Sequence, residues 1–393
     1  MTEKVEIFCT VITGFEKVAA KEISSKLAVE NCHPGRGNVR FTTNLSTVPQ
    51  CLQLRSIDNF YIVFYENRID GLMEMEKDEA MKRLQNEISF CNWKLAVDTW
   101  QSTRGREIYG GSGRVVEQMS QFMRNGVMNE VTETSPKFRV TCKRCGEKDN
   151  HKFSSMDAAS KFGAQINNVF GWKCSVKEFD IEVVLRIEKE EMTVMMALND
   201  ESLFKRNICA YGPTTMRATM CFCLLYLADP KHGDIVVDPM CGGGSIPIEG
   251  AMAWQDVQFI GGDNHEKAME RCRENWAPNS SKKRSNCDFA TWDATNLPFE
   301  DDSVDVIVTD LPFGKKIGST MDNRLLYPKL LEEWKRVIRR GGTLVVVTHD
   351  KRSLENSIFK DRSSWHTDAS HIVNVGGLQC LCLRLTNCKI TSS

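Results

Sequence analysis

The 393-residue sequence predicts an α/β fold, with a doubly wound, mostly parallel sheet in its second half and α+β segments before it. Three observations carry this reading. Beyond Thr214, short continuous apolar runs alternate with helical patterns, as expected of parallel strands buried on both faces. One of these runs ends in Asp238-Pro239-Met240-Cys241-Gly242-Gly243-Gly244, a glycine turn that leads into an apolar helical stretch. Near the end, Gly376-Gly377 separates two strand-like runs, His371 to Val375 and Leu378 to Leu385, and signals a two-residue antiparallel hairpin.

Along the chain, residues 5 to 65 read as strand (Val5 to Val11), helix (Phe15 to Leu27), a Gly35-Arg36-Gly37 turn and strand (Val39 to Phe41). A longer helical stretch from Thr47 to Arg55 and the β-rich Tyr61 to Tyr65 close this α+β unit. Residues 66 to 135 are charged and mostly helical. From Lys137 the expectation is a strand (Phe138 to Cys142), an amphipathic helix (Ser155 to Phe170) capped by Ser154 or Ser155, and strands at Phe179 to Ile187 and Met192 to Leu198. Asn199 to Pro213 reads as a linker. In the second half the expected strands are Ile235 to Val237, Phe259 to Gly261, Asp288 to Thr291, Val304 to Val308 and Thr343 to Thr348.

Composition narrows the function classes. With 41% hydrophobic and 26% charged residues, the chain is of ordinary globular character. The first residues show no signal pattern and no apolar stretch approaches the ~20 residues of a bilayer span, so no membrane is expected and the cytoplasm is, with the nucleus open. The 16 cysteines are dispersed and several sit in apolar runs, among them Cys221, Cys223, Cys380 and Cys382, which points to reduced, buried thiols. A formal net charge of -1 excludes a globally basic nucleic-acid binder, so any phosphate contact must come from local patches.

The glycine turn discriminates between nucleotide cofactors. A dinucleotide fingerprint requires G-x-G-x-x-G, whereas Gly242-Gly243-Gly244-Ser245-Ile246-Pro247 puts proline at the third small position, which disfavours NAD. Asp238 to Gly242 and Gly244, ahead of a helix N-terminus, suit the carboxylate of a methionine moiety. Asp263 and Asn264 end the next strand, where an acid can accept from ribose hydroxyls. Asp293 and Ala294, after Trp292, end the third, where Asp293 could accept from an adenine amine. Together these ask for S-adenosylmethionine, and the parallel sheet with a terminal hairpin fits a class I methyltransferase better than a dehydrogenase.

The sharpest signal is Asp310-Leu311-Pro312-Phe313, which follows the apolar run Val304 to Val308. An exocyclic amine conjugated to a base is a poor nucleophile until its lone pair is localised, and two acceptors aimed at its N–H bonds favour that change. The Asp310 carboxylate and the Leu311 carbonyl are the candidate acceptors, Pro312 stiffens the loop, and Phe313 offers a face for a base taken out of its stack. No metal is required. Cys142-Lys143-Arg144-Cys145 is a lone C-x-x-C without a second well-spaced pair, so no zinc set is completed.

Basic residues Lys137, Arg139, Lys143, Arg144, Lys148 and Lys152 cluster near one strand and turn. Lys315 and Lys316 flank the active loop, and Lys282-Lys283-Arg284 reads as an exposed loop. Of these, Arg139, Lys143, Arg144, Lys148, Lys315 and Lys316, with Arg217, are the candidates for RNA contact, the alternative being a solvated charged surface.

With these residues in hand, the chain resembles the THUMP-domain tRNA guanine-N2 methyltransferases, in particular their eukaryotic branch. The resemblance runs through Phe138 to Arg144, Gly146-Glu147-Lys148, Ala158-Ala159, Phe162-Gly163, Arg206-Asn207-Ile208 and Gly212 to Arg217. It continues through Asp238 to Gly242, Ile246 to Ala251, Gly262-Asp263-Asn264 and Thr309 to Lys315. It implies a class I (Rossmann-like) S-adenosylmethionine-dependent domain at 214–393, a linker at 201–213, a THUMP-type RNA-binding region at 66–200 and a ferredoxin-like part at 1–65. It further implies methyl transfer to guanine N2 in tRNA and a small zinc-binding activator subunit that pairs with the catalytic domain. Gly243 departs from the pattern, since such loops commonly carry Ser or Thr there. The competing readings are methylation of another planar amine or amide, such as adenine N6 or a protein glutamine, and an RNA-binding scaffold whose catalytic domain is defunct.

Overall fold

The computed structural model describes residues 3–106, 108, 110–146, 151–280, 286–313 and 320–389. The first half contains β1 (Lys4–Val11), α1 (Glu16–Lys26), β2 (Glu30–Gly35), β3 (Asn38–Asn44), α2 (Val48–Cys51), β4 (Ile57–Arg68) and α3 (Lys77–Asn86). It continues with α4 (Trp93–Arg104), α5 (Gly111–Asn125), β5 (Lys137–Cys145), α6 (Ser155–Phe170), β6 (Lys173–Cys174), β7 (Ile181–Glu188) and β8 (Glu191–Ala197). Its eight strands form one sheet in the order β2-β3-β1-β4-β8-β7-β5-β6.

Strand β4 joins the two parts of this half. It pairs antiparallel with β1 on one side and β8 on the other, so the 1–65 and 66–200 segments share a sheet and position 65 lies inside a strand. Alternation along the strands separates the faces: Ile7, Cys9, Phe60, Ile62 and Phe64 enter the main core with the helices, whereas Phe8, Tyr61 and Val63 join a smaller apolar strip on the opposite face. Helix α6 begins at Ser154, whose hydroxyl accepts from the Asp157 amide while the Asp157 carboxylate accepts from the Ser154 amide.

Two local expectations change. The helix expected over Thr47 to Arg55 shrinks to the four residues of α2, because the Arg55 and Ser56 amides donate to the buried Glu22 carboxylate rather than continuing a helix. Strand β2 is additional. It is an exposed edge strand containing His33-Pro34, without the apolar alternation that reveals a half-buried strand.

The second half contains α7 (Ala218–Ala228), β9 (Ile235–Asp238), α8 (Ser245–Ala253), β10 (Gln258–Asp263), α9 (Glu266–Ser280), β11 (Cys287–Thr291) and β12 (Val304–Asp310). After these come α10 (Thr320–Val337), β13 (Ile338–Thr348), α11 (Lys351–Lys360), β14 (Trp365–Val375) and β15 (Leu378–Asn387). The sheet order is β11-β10-β9-β12-β13-β15-β14, parallel except for β15, which runs antiparallel to both neighbours. The reversal between β9 and β12 is a topological switch point, where α/β sheets bind ligands. Gly376 and Gly377 both have positive φ and close the β14–β15 hairpin in two residues.

The halves interlock. Ile12, Phe15 and Val18 belong to the same core as Met220, Leu224 and Val373, and the Asn374 amide donates to the Thr13 carbonyl at 2.9 Å. Glu249, 1% exposed, accepts from both Arg55 and Arg206 at 2.7 Å, tying the first half, the linker and α8 together. Such burial of a charge is tolerated because two guanidinium forks meet it.

Candidate active site

The carboxyl ends of β9, β10, β11 and β12 open on one cavity of 1280 Å³. Asp238, Asp263, Asp293 and Asp310 all line it, as do Pro239 to Gly243, Asn264, Ala294, Leu311, Pro312 and Phe313. Residues from far along the chain complete the wall: Val11, Ile12, Thr13 and Asp58 from the first half, Gly212 to Arg217 from the linker, and Asn374 to Leu378 from the hairpin.

The glycine turn is built to leave space. Gly242 has φ of +55° and a Cβ there would meet nothing within 4 Å, so the backbone presents an open cradle to the cavity. Gly244, with φ of +82°, starts α8, and a Cβ there would sit 2.9 Å from the Phe289 ring. Gly243 has a different reason to be small. Its carbonyl accepts from Asn275 Nδ2 at 2.9 Å, and the same amide nitrogen would lie 3.3 Å from an added Cβ. The loop is thus tied from α9 by an asparagine, without a hydroxyl at position 243.

The Asp263 carboxylate accepts from the Gly242 amide at 3.0 Å and the His265 amide at 2.9 Å, which fixes it between the cradle and α9. Trp292 is 8% exposed; its indole donates to the Pro239 carbonyl at 3.1 Å and its ring lies over Gly262, where a Cβ would come within 1.9 Å. Its role is therefore the cavity floor. Asp293 closes its own turn, accepting from the Thr295 amide and hydroxyl, both at 2.8 Å, and these bonds hold its carboxyl below the usual range.

Asp310 behaves oppositely. Burial pushes its carboxyl up to about 7, with a contribution from the charge of Asp263, and it has no ion-pair partner among the described residues. Asp238 is also pushed up by burial and by Asp310. The following loop is rigid for a reason beyond its proline: the Pro312 carbonyl accepts from Asn323 Nδ2 at 3.0 Å and Tyr327 Oη at 2.5 Å, and the Leu311 amide donates to Val347. Phe313 is half-buried against the core that contains Met220.

Of the described basic candidates, one, Arg217, lines this cavity. Arg139 is paired with Glu182 at 2.9 Å and stacked on Phe179, Arg144 reaches Ser155, and Lys137 and Lys152 are paired with Glu178 and Glu76. Lys143 is exposed, with its ammonium 5.5 Å from the Tyr61 ring centroid. Lys148, Lys315, Lys316 and the Lys282-Lys283-Arg284 loop lie outside the described residues.

Comparison with known proteins agrees with this architecture. A family model described as an RMKL-like methyltransferase domain matches residues 206–380, and one described as an RlmL ferredoxin-like domain matches residues 6–58. The Homo sapiens tRNA (guanine(6)-N(2))-methyltransferase THUMP3 is 34% identical, over 95% of this chain and 87% of its own length. The chain belongs to the THUMP-domain tRNA guanine-N2 methyltransferase family. A further relative, the Bos taurus U6 snRNA (guanine-N(2))-methyltransferase THUMPD2, is 23% identical over 87% of this chain and 78% of its own. The crystal structure of TrmN from Thermus thermophilus shares the fold, with a TM-score of 0.75 at 20% identity over 98% of this chain and 99% of that one.

The cavity of this THUMP-family methyltransferase suits S-adenosylmethionine on its own geometry. Five carboxylates line it (Asp58, Asp238, Asp263, Asp293, Asp310) against the cations Arg217, Lys267 and Arg271, so a ligand carrying a sulfonium and an ammonium is favoured. No helix among the described residues is long and apolar enough to cross a membrane. Asp58 and the Val11 to Thr13 wall went unread in the sequence. Nothing near them signals a site, because they reach the cavity only through the docking of one half on the other.

Proposed function

We propose that this chain transfers a methyl group from S-adenosylmethionine to the exocyclic N2 amine of a guanine in tRNA. The observation that carries it is Asp310: a desolvated carboxylate with no counter-ion among the described residues, at the end of β12, one residue before a pinned backbone turn and three before an aromatic face. The 34% identity to the human tRNA guanine-N2 enzyme supports the choice of amine and RNA.

In this mechanism the open cradle at Gly242 and the N-terminus of α8 hold the methionine end, Asp263 accepts from ribose hydroxyls, and Asp293 with Ala294 meets the adenine edge. The bound cofactor supplies an electrophilic methyl on a sulfonium that departs as a neutral thioether. Asp310 and the Leu311 carbonyl accept the two N–H bonds of the amine, drawing its lone pair out of conjugation as the new carbon–nitrogen bond forms. The nitrogen then sheds its extra proton, and a carboxyl with a pKa pushed up to about 7 is matched to receive it near neutral pH. Phe313 supports the flipped base by stacking, and Lys143, Arg144, Lys148, Arg217, Lys315 and Lys316 are the proposed RNA contacts, Arg139 being held by Glu182. The resemblance adds a small zinc-binding activator subunit as a partner, to be sought by co-purification.

A second reading keeps the chemistry and changes the RNA, since the THUMPD2 relative acts by name on U6 snRNA. Labelled methyl transfer to total small RNA, with tRNA and small nuclear RNA separated before nucleoside mass spectrometry, tests both. N2-methylguanosine in the tRNA fraction is the expected result. The same product only in small nuclear RNA would replace the substrate, and a methylated adenosine would overturn the amine assignment.

A further inference from the structure

One of the five carboxylates lining the cavity comes from the first half of the chain and has no role in the methyl transfer above. Asp58, at the start of β4, is 8% exposed and enters from the first half. Its Oδ1 accepts from the Thr219 hydroxyl at 2.7 Å. Its Oδ2 lies 3.8 Å from Arg217 NH1, beyond hydrogen-bond reach, so this oxygen keeps its accepting capacity. Burial pushes the carboxyl up, and the Thr219 hydroxyl and the Arg217 charge offset this only in part. Arg217 is itself prepared for a ligand: its guanidinium carbon lies over the Phe204 ring, 4.4 Å from the centroid, and its side chain is 52% exposed.

We propose that Asp58 and Arg217 form the guanine-reading pair, Asp58 accepting from N1–H and Arg217 donating to O6, and that they set guanine over other purines. This rests on the N2-methylation reading above. A guanine whose amine faces Asp310 has N1–H and O6 as its next edge groups, a donor beside an acceptor. A carboxylate beside a guanidinium is the matching acceptor and donor. Adenine and 2-aminopurine carry an unprotonated N1, so the Asp58 oxygen would face a lone pair. A buried polar group left so unmatched is the most effective way for a site to reject a near-isostere. The linking of Asp58 to Thr219 on α7 also gives the first half a share in base choice, in addition to its proposed contact with the RNA backbone.

The test uses the full chain and tRNA carrying either guanine or 2-aminopurine at the methylated position; both have the reacting amine at C2. Wild type is expected to prefer guanine in kcat/KM by roughly 100-fold or more. In Asp58→Asn, whose amide can donate to N1, this preference should fall below about 10-fold, with the methyl donor still bound and no loss of melting temperature. Arg217→Ala should slow guanine but not 2-aminopurine, which lacks O6. If Asp58→Asn slows both substrates alike, Asp58 only docks β4 on α7 and the proposal is overturned. Should that variant not fold, wild type decides, because equal rates on the two bases would also overturn it. A wild type that methylates neither base would instead sink the N2 reading on which the proposal rests.

Discussion

Charges at the strand ends of the second half and charges on the sheet of the first half are handled in opposite ways. Asp238 and Asp310 are desolvated, lack ion pairs among the described residues, and are pushed up by burial. On the eight-stranded sheet, Arg139 meets Glu182 on the neighbouring strand, Arg40 meets Glu6 and Glu66, and Arg186 meets Glu188. Such a surface pair satisfies itself and contributes little, at most holding register where it bridges two strands. An unpaired carboxylate in a cavity keeps a cost that a cationic ligand relieves, which is how the second half comes to be the chemical one.

The most disruptive way to break this contrast is to fill the floor that keeps the strand ends apart. Gly262→Ala places a Cβ inside the Trp292 ring, and the overpacking should cost roughly 1 to 3 kcal/mol, read as a lower denaturation midpoint with weakened cofactor binding. An unchanged midpoint would show that Trp292 moves freely and is no floor. Next in size is pH. Because Asp310 must be ionised to accept from the amine, kcat/KM for the methyl donor should fall about 10-fold from pH 8 to pH 6, as expected for one group titrating near 7.

The same carboxylate should trade stability for activity. Its folded pKa of about 7 exceeds its ordinary value of 3.8, so its contribution to stability is present in full below that value and is lost as pH rises to about 7. The melting temperature of Asp310→Asn should therefore gain on wild type progressively from pH 4 to pH 7 and hold that lead above it. A lead that does not vary with pH would contradict the burial. The smallest effect sharpens the other side of the contrast. Lys143→Ala should lower the salt slope of tRNA binding by about one ion, whereas Arg139→Ala, which breaks an existing pair, should leave it nearly unchanged.

Legibility in the sequence followed the same division. Asp238, Asp263 and Asp310 end strands and Asp293 lies just after one, so strand, turn and functional group are contiguous and the parallel sheet could be read with them. The hairpin at Gly376-Gly377 was equally local. The pairing of Arg139 with Glu182 depends on the register of β5 against β7, and Asp58 meets Arg217 only after the two halves dock; neither is encoded in neighbouring residues. Strand β2 was hidden because an exposed edge needs no apolar alternation, and the helix over Thr47 to Arg55 was overread because Glu22, far earlier in the chain, captures the amides that would extend it.

The central claim is that Asp310 acts on the amine in the transfer step, beyond the share it has with the other carboxylates in favouring a cationic cofactor. It is tested most directly by measuring single-turnover methyl transfer to tRNA and calorimetric S-adenosylmethionine binding side by side for wild type and Asp310→Ala. The account predicts a loss of transfer on the order of 100-fold to 1,000-fold with the cofactor still bound. Transfer at the wild-type rate by Asp310→Ala would contradict it.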